Sequence, residues 1–296
     1  MSEIPSRARR VLASLSPRRR RWLRFLRELP LDPDRLPRPL AAPEERDFIV
    51  CGSPRTGTTL LAAALFQPPT SLTVMEPWDG MRLPPAELFD SLRTELRDTG
   101  GLRRGKLDVD ALLRNSSVRW CREGRPTPSI DYTEESRVGV KWPAYWRFLE
   151  LLPETRFLVC LRHPTTTIAS YRRKGGRLAQ GLEYDTAFNR PLNRRLRQAT
   201  SDPKIRRVLF YDAIYRAILP HLDRPQVFAV RFERWLEDPE QLLGEIGAFL
   251  GVQLGGTPVR IQKPRGSQAL PPEELTAILE HCTTAAALGY DPGRLP

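Results

Sequence analysis

Short apolar runs recur along this chain at separations too long for hairpins. "DFIVCG", "SLTVM", "RVGVKW", "RFLVCLR" and "QVFAVRF" have the near-continuous hydrophobicity of strands buried on both faces. Each is followed by a turn signal and, in most cases, a helical pattern; after "DFIVCG" comes "TTLLAAALF", which reads as a helix. Strand alternating with helix predicts an α/β fold, a parallel β-sheet flanked by helices on both faces. Between the second and third strands, residues 81–135 mix Pro, Gly and Arg irregularly and are too long for a plain connection, so helices and a substrate lid are expected there.

The pattern is absent from residues 1–46, which hold "SPRRRRWLRFLRELP" and then the proline-rich "LDPDRLPRPLAAPEE". This segment reads as a basic N-terminal arm on a single domain, residues 47–296. Leu15, Trp22, Leu23, Phe25, Leu26 and Leu29 are expected to line one side of a short helix, which suits packing on the domain or on a second copy of the chain in a homodimer, with membrane-surface docking as the less favoured use.

Composition narrows the class. The longest apolar run, Leu60 to Phe66, is far short of the roughly 20 residues that span a bilayer, and the N-terminus has no apolar signal segment, so a cytoplasmic protein is expected. Cys51, Cys121, Cys160 and Cys282 are scattered without metal-ligand spacing and read as free thiols; no metal site is expected. The net charge of +12 attracts nucleic acid, membrane surfaces and small anions alike, but only five of the 47 basic residues are lysine, which weakens the nucleic-acid reading.

Candidate chemistry starts at "CGSPRTGTTLL". Against the phosphate-loop pattern G-x-x-x-x-G-K-[ST], the stretch Gly52 to Thr59 keeps both glycines and the final hydroxyl but has Thr58 in place of lysine. Gly57 permits a tight turn, the amides of Thr56 to Thr59 sit at a helix N-terminus, and positive charge is moved to Arg55. A nucleotide hydrolase would end a strand in a Mg²⁺-binding aspartate, yet the fourth and fifth strands end in Arg162 and Arg231. Cations in those places point to a ligand with an additional phosphate.

These residues resemble sulfotransferases that use 3′-phosphoadenosine 5′-phosphosulfate (PAPS), including bacterial and carbohydrate-sulfotransferase-like members. The family's 5′-phosphosulfate loop, P-[KR]-x-G-[ST]-[ST], is matched by Pro54, Arg55, Thr56, Gly57, Thr58 and Thr59. Its second signature, a strand-ending arginine and a serine eight residues later that grip the 3′-phosphate, is matched in "LRHPTTTIAS" by Arg162 and Ser170. "VRFERWLEDPEQLLGEIGAFLG" is similar to a later strand and helix of the family, so the resemblance covers roughly residues 47–255. It implies sulfuryl transfer from PAPS to a hydroxyl, release of PAP, and no metal. The resemblance also implies that a late basic loop closes over the 3′-phosphate, a loose match to Lys263, Arg265 and Gly266 in "IQKPRGSQ".

On the acceptor side, His163, His221 and His281 are poorly placed for the base that cytosolic aryl and steroid sulfotransferases use. "MEPWDG" resembles the E-P motif of carbohydrate sulfotransferases, which makes Glu76 the candidate base, and "GVKWPAYW" places Lys141 where relatives carry a lysine near sulfate or acceptor. Trp78, Trp142 and Tyr145 are candidates to stack on a carbohydrate or other small-molecule acceptor, against the commoner alternative that they are core. Two other classes stay open at this point: a P-loop kinase using ATP and Mg²⁺, and a non-enzymatic basic module binding nucleic acid.

Overall fold

The structure is a computed structural model, and it describes residues 40–102, 130–183, 188–255 and 270–291, together with Leu36, Arg38, Thr186 and Gly293. The helical face expected in the arm, Cys121, the basic loop at Lys263, Arg265 and Gly266, and most of the expected lid lie outside the described residues.

Five parallel strands form one sheet in the order β2-β3-β1-β4-β5: β1 Phe48–Gly52, β2 Ser71–Met75, β3 Arg137–Lys141, β4 Arg156–Leu161 and β5 Val227–Arg231. The sequence assigns all five. Every residue of β1 and β2 is buried, which is why β1 is apolar along its length, whereas β2 also buries the polar Ser71 and Thr73. Among the described residues, seven helices of seven residues or more accompany them: α1 Thr58–Ala64, α2 Pro85–Thr99, α3 Pro164–Lys174, α4 Arg190–Ala199, α5 Pro203–Ile218, α6 Pro239–Leu250 and α7 Pro272–His281. Three of the later helices start by one local device. His163, Asp202 and Asp238 each accept a hydrogen bond from a backbone amide of the first turn, and each is followed by a proline whose missing N–H costs nothing there.

Register decides what meets at the carboxyl edge. Val50 and Met75 both pair with Lys141, and Gly52 pairs with Cys160, so the residues just beyond β2, β3, β1 and β4 emerge side by side. The chain leaves β1 towards β2 on one side and leaves β4 towards β5 on the other. The carboxyl ends of neighbouring β1 and β4 are therefore the switch point at which an open α/β sheet has its crevice.

Two features refine the expected boundaries. Leu40 is buried in the core, and Glu44 donates its backbone amide to Asp47 at 3.0 Å, so the last residues of the basic arm pack as part of the domain. The expected insertion begins as α2, whose Leu88, Phe89, Leu92 and Leu96 are buried. Arg93 of α2 donates to Asp47, an ion pair closed off from solvent on both sides, and also faces Glu44 at 3.4 Å. Burial pushes the Asp47 carboxyl up to about 7 against the opposing pull of Arg93. Cys51, Cys160 and Cys282 are free and buried, as expected. Among the described residues no helix is long and apolar enough to cross a membrane, and no cluster of three His, Cys, Asp or Glu side chains is arranged to hold a metal.

Removing Asp47 leaves the Arg93 guanidinium buried with only Glu44 at its edge. Asp47→Ala is expected to lower the free energy of unfolding by about 3 kcal/mol, read as a fall in the urea midpoint at unchanged slope.

Candidate active site

The loop after β1 has a backbone that few residues tolerate. Gly52 has φ 137°, and a Cβ there would stand 2.6 Å from the carbonyl oxygen of Cys160; Gly57 has φ 99°, and its Cβ would meet the Phe232 ring at 2.8 Å. Only glycine lets the loop lie this close to β4 and to the residue after β5. Inside the turn, Thr56 donates its hydroxyl to the carbonyl of Ser53 at 2.7 Å, and the Ser53 and Tyr171 hydroxyls are hydrogen-bonded in the interior. Thr56 is thus a brace of the loop. Thr58 opens α1 and is buried, whereas Thr59 faces solvent.

Among the described residues, only two non-glycine residues have positive φ: Arg55 at 70° and Glu76 at 46°. Each left-handed residue of this kind costs about 1–3 kcal/mol and persists where surrounding structure holds it, most often at functional sites. Both are site candidates from the sequence alone.

Arg55 and Arg162 come together as the two motifs require. The Arg162 side chain is buried, donates through Nη1 to the Arg55 carbonyl at 3.0 Å and through Nε to Thr166 Oγ1 at 3.1 Å, and lies over the Phe232 ring at 4.1 Å. Arg55 donates through Nε to Ser170 Oγ at 3.1 Å. Arg55, Arg162 and Ser170 are therefore one constellation at the β1/β4 crevice. Its electrostatics are those of a site lacking negative charge: burial brings Arg162 down to about 10, with Glu233 opposing and Arg55 and Arg173 adding to the fall. Arg55 is open to solvent on its outer side, but lost hydration and then Arg173 lower its proton affinity as well. A bound oxyanion would relieve this crowding.

On the other flank, Lys141 Nζ donates to Glu76 Oε1 at 2.5 Å, and the Glu76 amide donates to the Lys141 carbonyl at 2.8 Å. Lys141 is buried, while Glu76 keeps a partly open face. The two residues predicted for the acceptor side form a direct ion pair. The candidate aromatics separate. Tyr145 has no exposed surface, donates its hydroxyl to the Gly80 carbonyl and packs edge-on against Phe148 at 4.9 Å, so its ring is core and presents no face for stacking. Trp142 is half-buried and its backbone amide donates to Val50. Trp78 begins a single turn ending at Met81.

Sequence reasoning passed over several neighbours. Thr166 and Arg173 lie on α3 one turn before and one turn after Ser170, so the helical spacing 166, 170, 173 was a usable signal. No signal in sequence reveals Phe232, the platform under Arg162, because it follows β5. The same holds for the brace behind Arg162: the His163 amide donates to Glu233 at 2.9 Å, Tyr290 donates its hydroxyl to Glu233 at 3.1 Å, and His163 Nε2–H donates to the Asp291 carbonyl at 2.9 Å.

With this geometry in place, comparison with known proteins decides the family. Residues 47–255 match the Sulfotransferase family. The chain belongs to that family. It is a transferase of the sulfotransferase class, on a P-loop-like parallel sheet. Solved structures similar to this sulfotransferase include one from Alicyclobacillus acidocaldarius, with 17% identity over 85% of this chain and 98% of that one and a TM-score of 0.44. The sulfotransferase domain of the curacin biosynthetic pathway has 16% identity over 87% and 100% of the two chains, with a TM-score of 0.48. That of the Synechococcus PCC 7002 olefin synthase has 18% identity over 86% and 97%, with a TM-score of 0.44. No curated protein matches the chain.

A consequence of the crowded cations can be read without turnover. Inorganic phosphate or sulfate at saturating concentration is expected to raise the melting temperature of this sulfotransferase by several degrees, since ligand at 100 times Kd adds about 2.7 kcal/mol. Arg162→Ala and Arg55→Gly are expected to lose most of that rise. Arg55→Gly, which relieves the positive φ, should itself melt no lower than the parent.

Proposed function

We propose that this sulfotransferase takes PAPS as donor substrate and transfers its sulfuryl group to a hydroxyl, most specifically of a carbohydrate or a carbohydrate-bearing metabolite, releasing PAP. The observation that carries this reading is the joining of Arg55, Arg162 and Ser170 by hydrogen bonds at the crevice between β1 and β4. Two anion-binding elements far apart in sequence thus meet at one place, which suits a donor with phosphate at both its 5′ and 3′ positions.

In this proposal the backbone of Thr56 to Thr59 and the Thr58 hydroxyl hold the 5′-phosphate, and Arg55 neutralises charge on the departing oxygen. Arg162, Ser170 and Arg173 take the 3′-phosphate, and we assign Lys263, Arg265 and Gly266 to the same phosphate. Arginine at the end of β4 supplies positive charge where a kinase places a metal-binding carboxylate, and we assign the reaction no metal.

The donor contributes an electrophilic sulfur whose bond to the phosphate oxygen breaks as the acceptor oxygen bonds to it. Glu76 accepts the acceptor hydroxyl's proton as that bond forms. The left-handed backbone at Glu76 and the Lys141 contact fix the carboxylate at the strand edge, so little reorganisation remains for the reaction. Lys141, paired with Glu76, places positive charge beside the transferring group. We assign Trp142 and Trp78 to the acceptor side, and recognition of the acceptor to residues 81–135.

Calorimetric titration tests the donor assignment: PAP is expected to bind without metal and more tightly than AMP, and Arg162→Ala to weaken PAP at least tenfold. Binding of ATP with Mg²⁺ alongside indifference to PAP would overturn it. Glu76→Gln is expected to keep the PAP affinity and to lower kcat by about 10²–10⁴; unchanged turnover would remove Glu76 as the base.

A further inference from the structure

Helix α4 breaks the rules by which a surface helix stabilises itself. Its buried side is Leu192, Asn193 and Leu196, and its outer side carries Arg190, Arg194, Arg195 and Arg197, all exposed. No acidic residue occupies its first turn, and its cap residue, Asn189, makes no side-chain capping bond. Arg190 instead stands at the positive end of the helix dipole, and Arg190 and Arg194 are like charges one turn apart, each arrangement costing some tenths of a kcal/mol. Among the described residues none of these four arginines has a carboxylate partner, although solvated helix faces ordinarily mix charges of both signs. A local rule broken without local compensation points to function.

The placement of α4 sets this charge beside that of α3, which borders the candidate site. Arg173 and Lys174 at the end of α3 are exposed, and Arg173 acts electrostatically on both Arg55 and Arg162. Arg177 follows, donating to the Glu183 carbonyl at 3.3 Å, and Glu183 in turn is clasped to Asn193 of α4 at 3.1 and 3.0 Å. At the start of α4, the Phe188 carbonyl accepts from Arg147, and the Phe188 ring stacks on Tyr145, just beyond Lys141 and Trp142. The basic ridge therefore runs from the donor crevice round to the loop after β3.

We propose that this ridge is the landing surface of a polyanionic carbohydrate acceptor, a glycan chain whose sugars carry carboxylate or sulfate groups. The inference rests on the proposed carbohydrate acceptor and narrows its class. The chemistry of the ridge selects this occupant. The exposed large hydrophobic residues of the described structure are Leu236 and Leu279, neither of them on the ridge. A folded protein partner needs an apolar interface centre and a bilayer needs inserted apolar side chains, so a hydrated polyelectrolyte fits better than either. Duplex DNA offers no hydroxyl along its length to receive a sulfuryl group, and among the described residues no exposed aromatic stands between these arginines for stacking on single-stranded bases. An anionic glycan supplies both repeating charge and repeating hydroxyls.

The test uses the full chain and fluorescence anisotropy with labelled oligogalacturonate, dextran sulfate, neutral dextran and a DNA duplex. The wild type is expected to bind the two anionic glycans, with affinity falling steeply with salt, and to ignore neutral dextran. Arg190→Glu with Arg194→Glu and Arg197→Glu is expected to weaken anionic-glycan binding at least tenfold and to flatten the log–log salt slope by about 2. The same variant should melt at or above the wild-type temperature, because the substitutions relieve the helix. Glycan binding unchanged in the variant, no preference over neutral dextran, or tighter binding of DNA than of either glycan would each overturn the proposal. PAP titration of the same two proteins separates the two levels: loss of glycan binding with PAP affinity intact supports the ridge, while a wild type that binds anionic glycans but not PAP defeats the donor reading alone.

Discussion

A shortage of negative charge organises this molecule. Arg162 is held in the interior beside Arg55 and within the field of Arg173, with Glu233 offsetting their effect. Such an arrangement is costly in the free protein and becomes favourable when an anion with several oxygens arrives. The surrounding structure consists largely of what is needed to sustain that cost. Phe232 lies under the Arg162 guanidinium, Tyr211 donates to the Arg162 carbonyl at 2.8 Å, and Glu233 with Tyr290 fixes the following residue. The glycines at 52 and 57 let the loop approach where any side chain would collide.

The parallel sheet converts this local electrostatics into a site with two sides. Because β1 lies between β3 and β4, its loop has Arg162 on one flank and the Lys141–Glu76 pair on the other. In-line transfer between two oxygens needs that division, with the charge that stabilises the departing group and the base that receives the proton on opposite sides of the transferred atom. The left-handed backbone at Arg55 and at Glu76 marks one residue on each side. Strain is concentrated where the chemistry is assigned, and the interior of the sheet carries none of it. The ridge of α4 keeps like charge on the surface in the same way, with Arg190, Arg194, Arg195 and Arg197 exposed.

Much of this was legible in the chain. The apolar runs specified all five strands because strands covered on both faces leave little room for polar residues, and "PRTGTT" and "LRHPTTTIAS" specified the loop and the strand-end arginine because tight turns and anion contacts demand particular residues at fixed spacing. What spacing cannot give is contact between distant segments. That Arg55 bonds Ser170, that Lys141 bonds Glu76, and that Phe232 and Tyr290 support the arginine corner depend on strand order and register, which local sequence does not encode. Tyr145 shows the same limit from the other direction: an aromatic beyond a strand end suits a binding wall or a core equally well, and only packing against Phe148 and Phe188 placed it inside. The sequence by itself determined the secondary elements and the chemical types at their ends; the tertiary structure decided which of those ends share one crevice, because a parallel sheet brings together residues that are far apart along the chain.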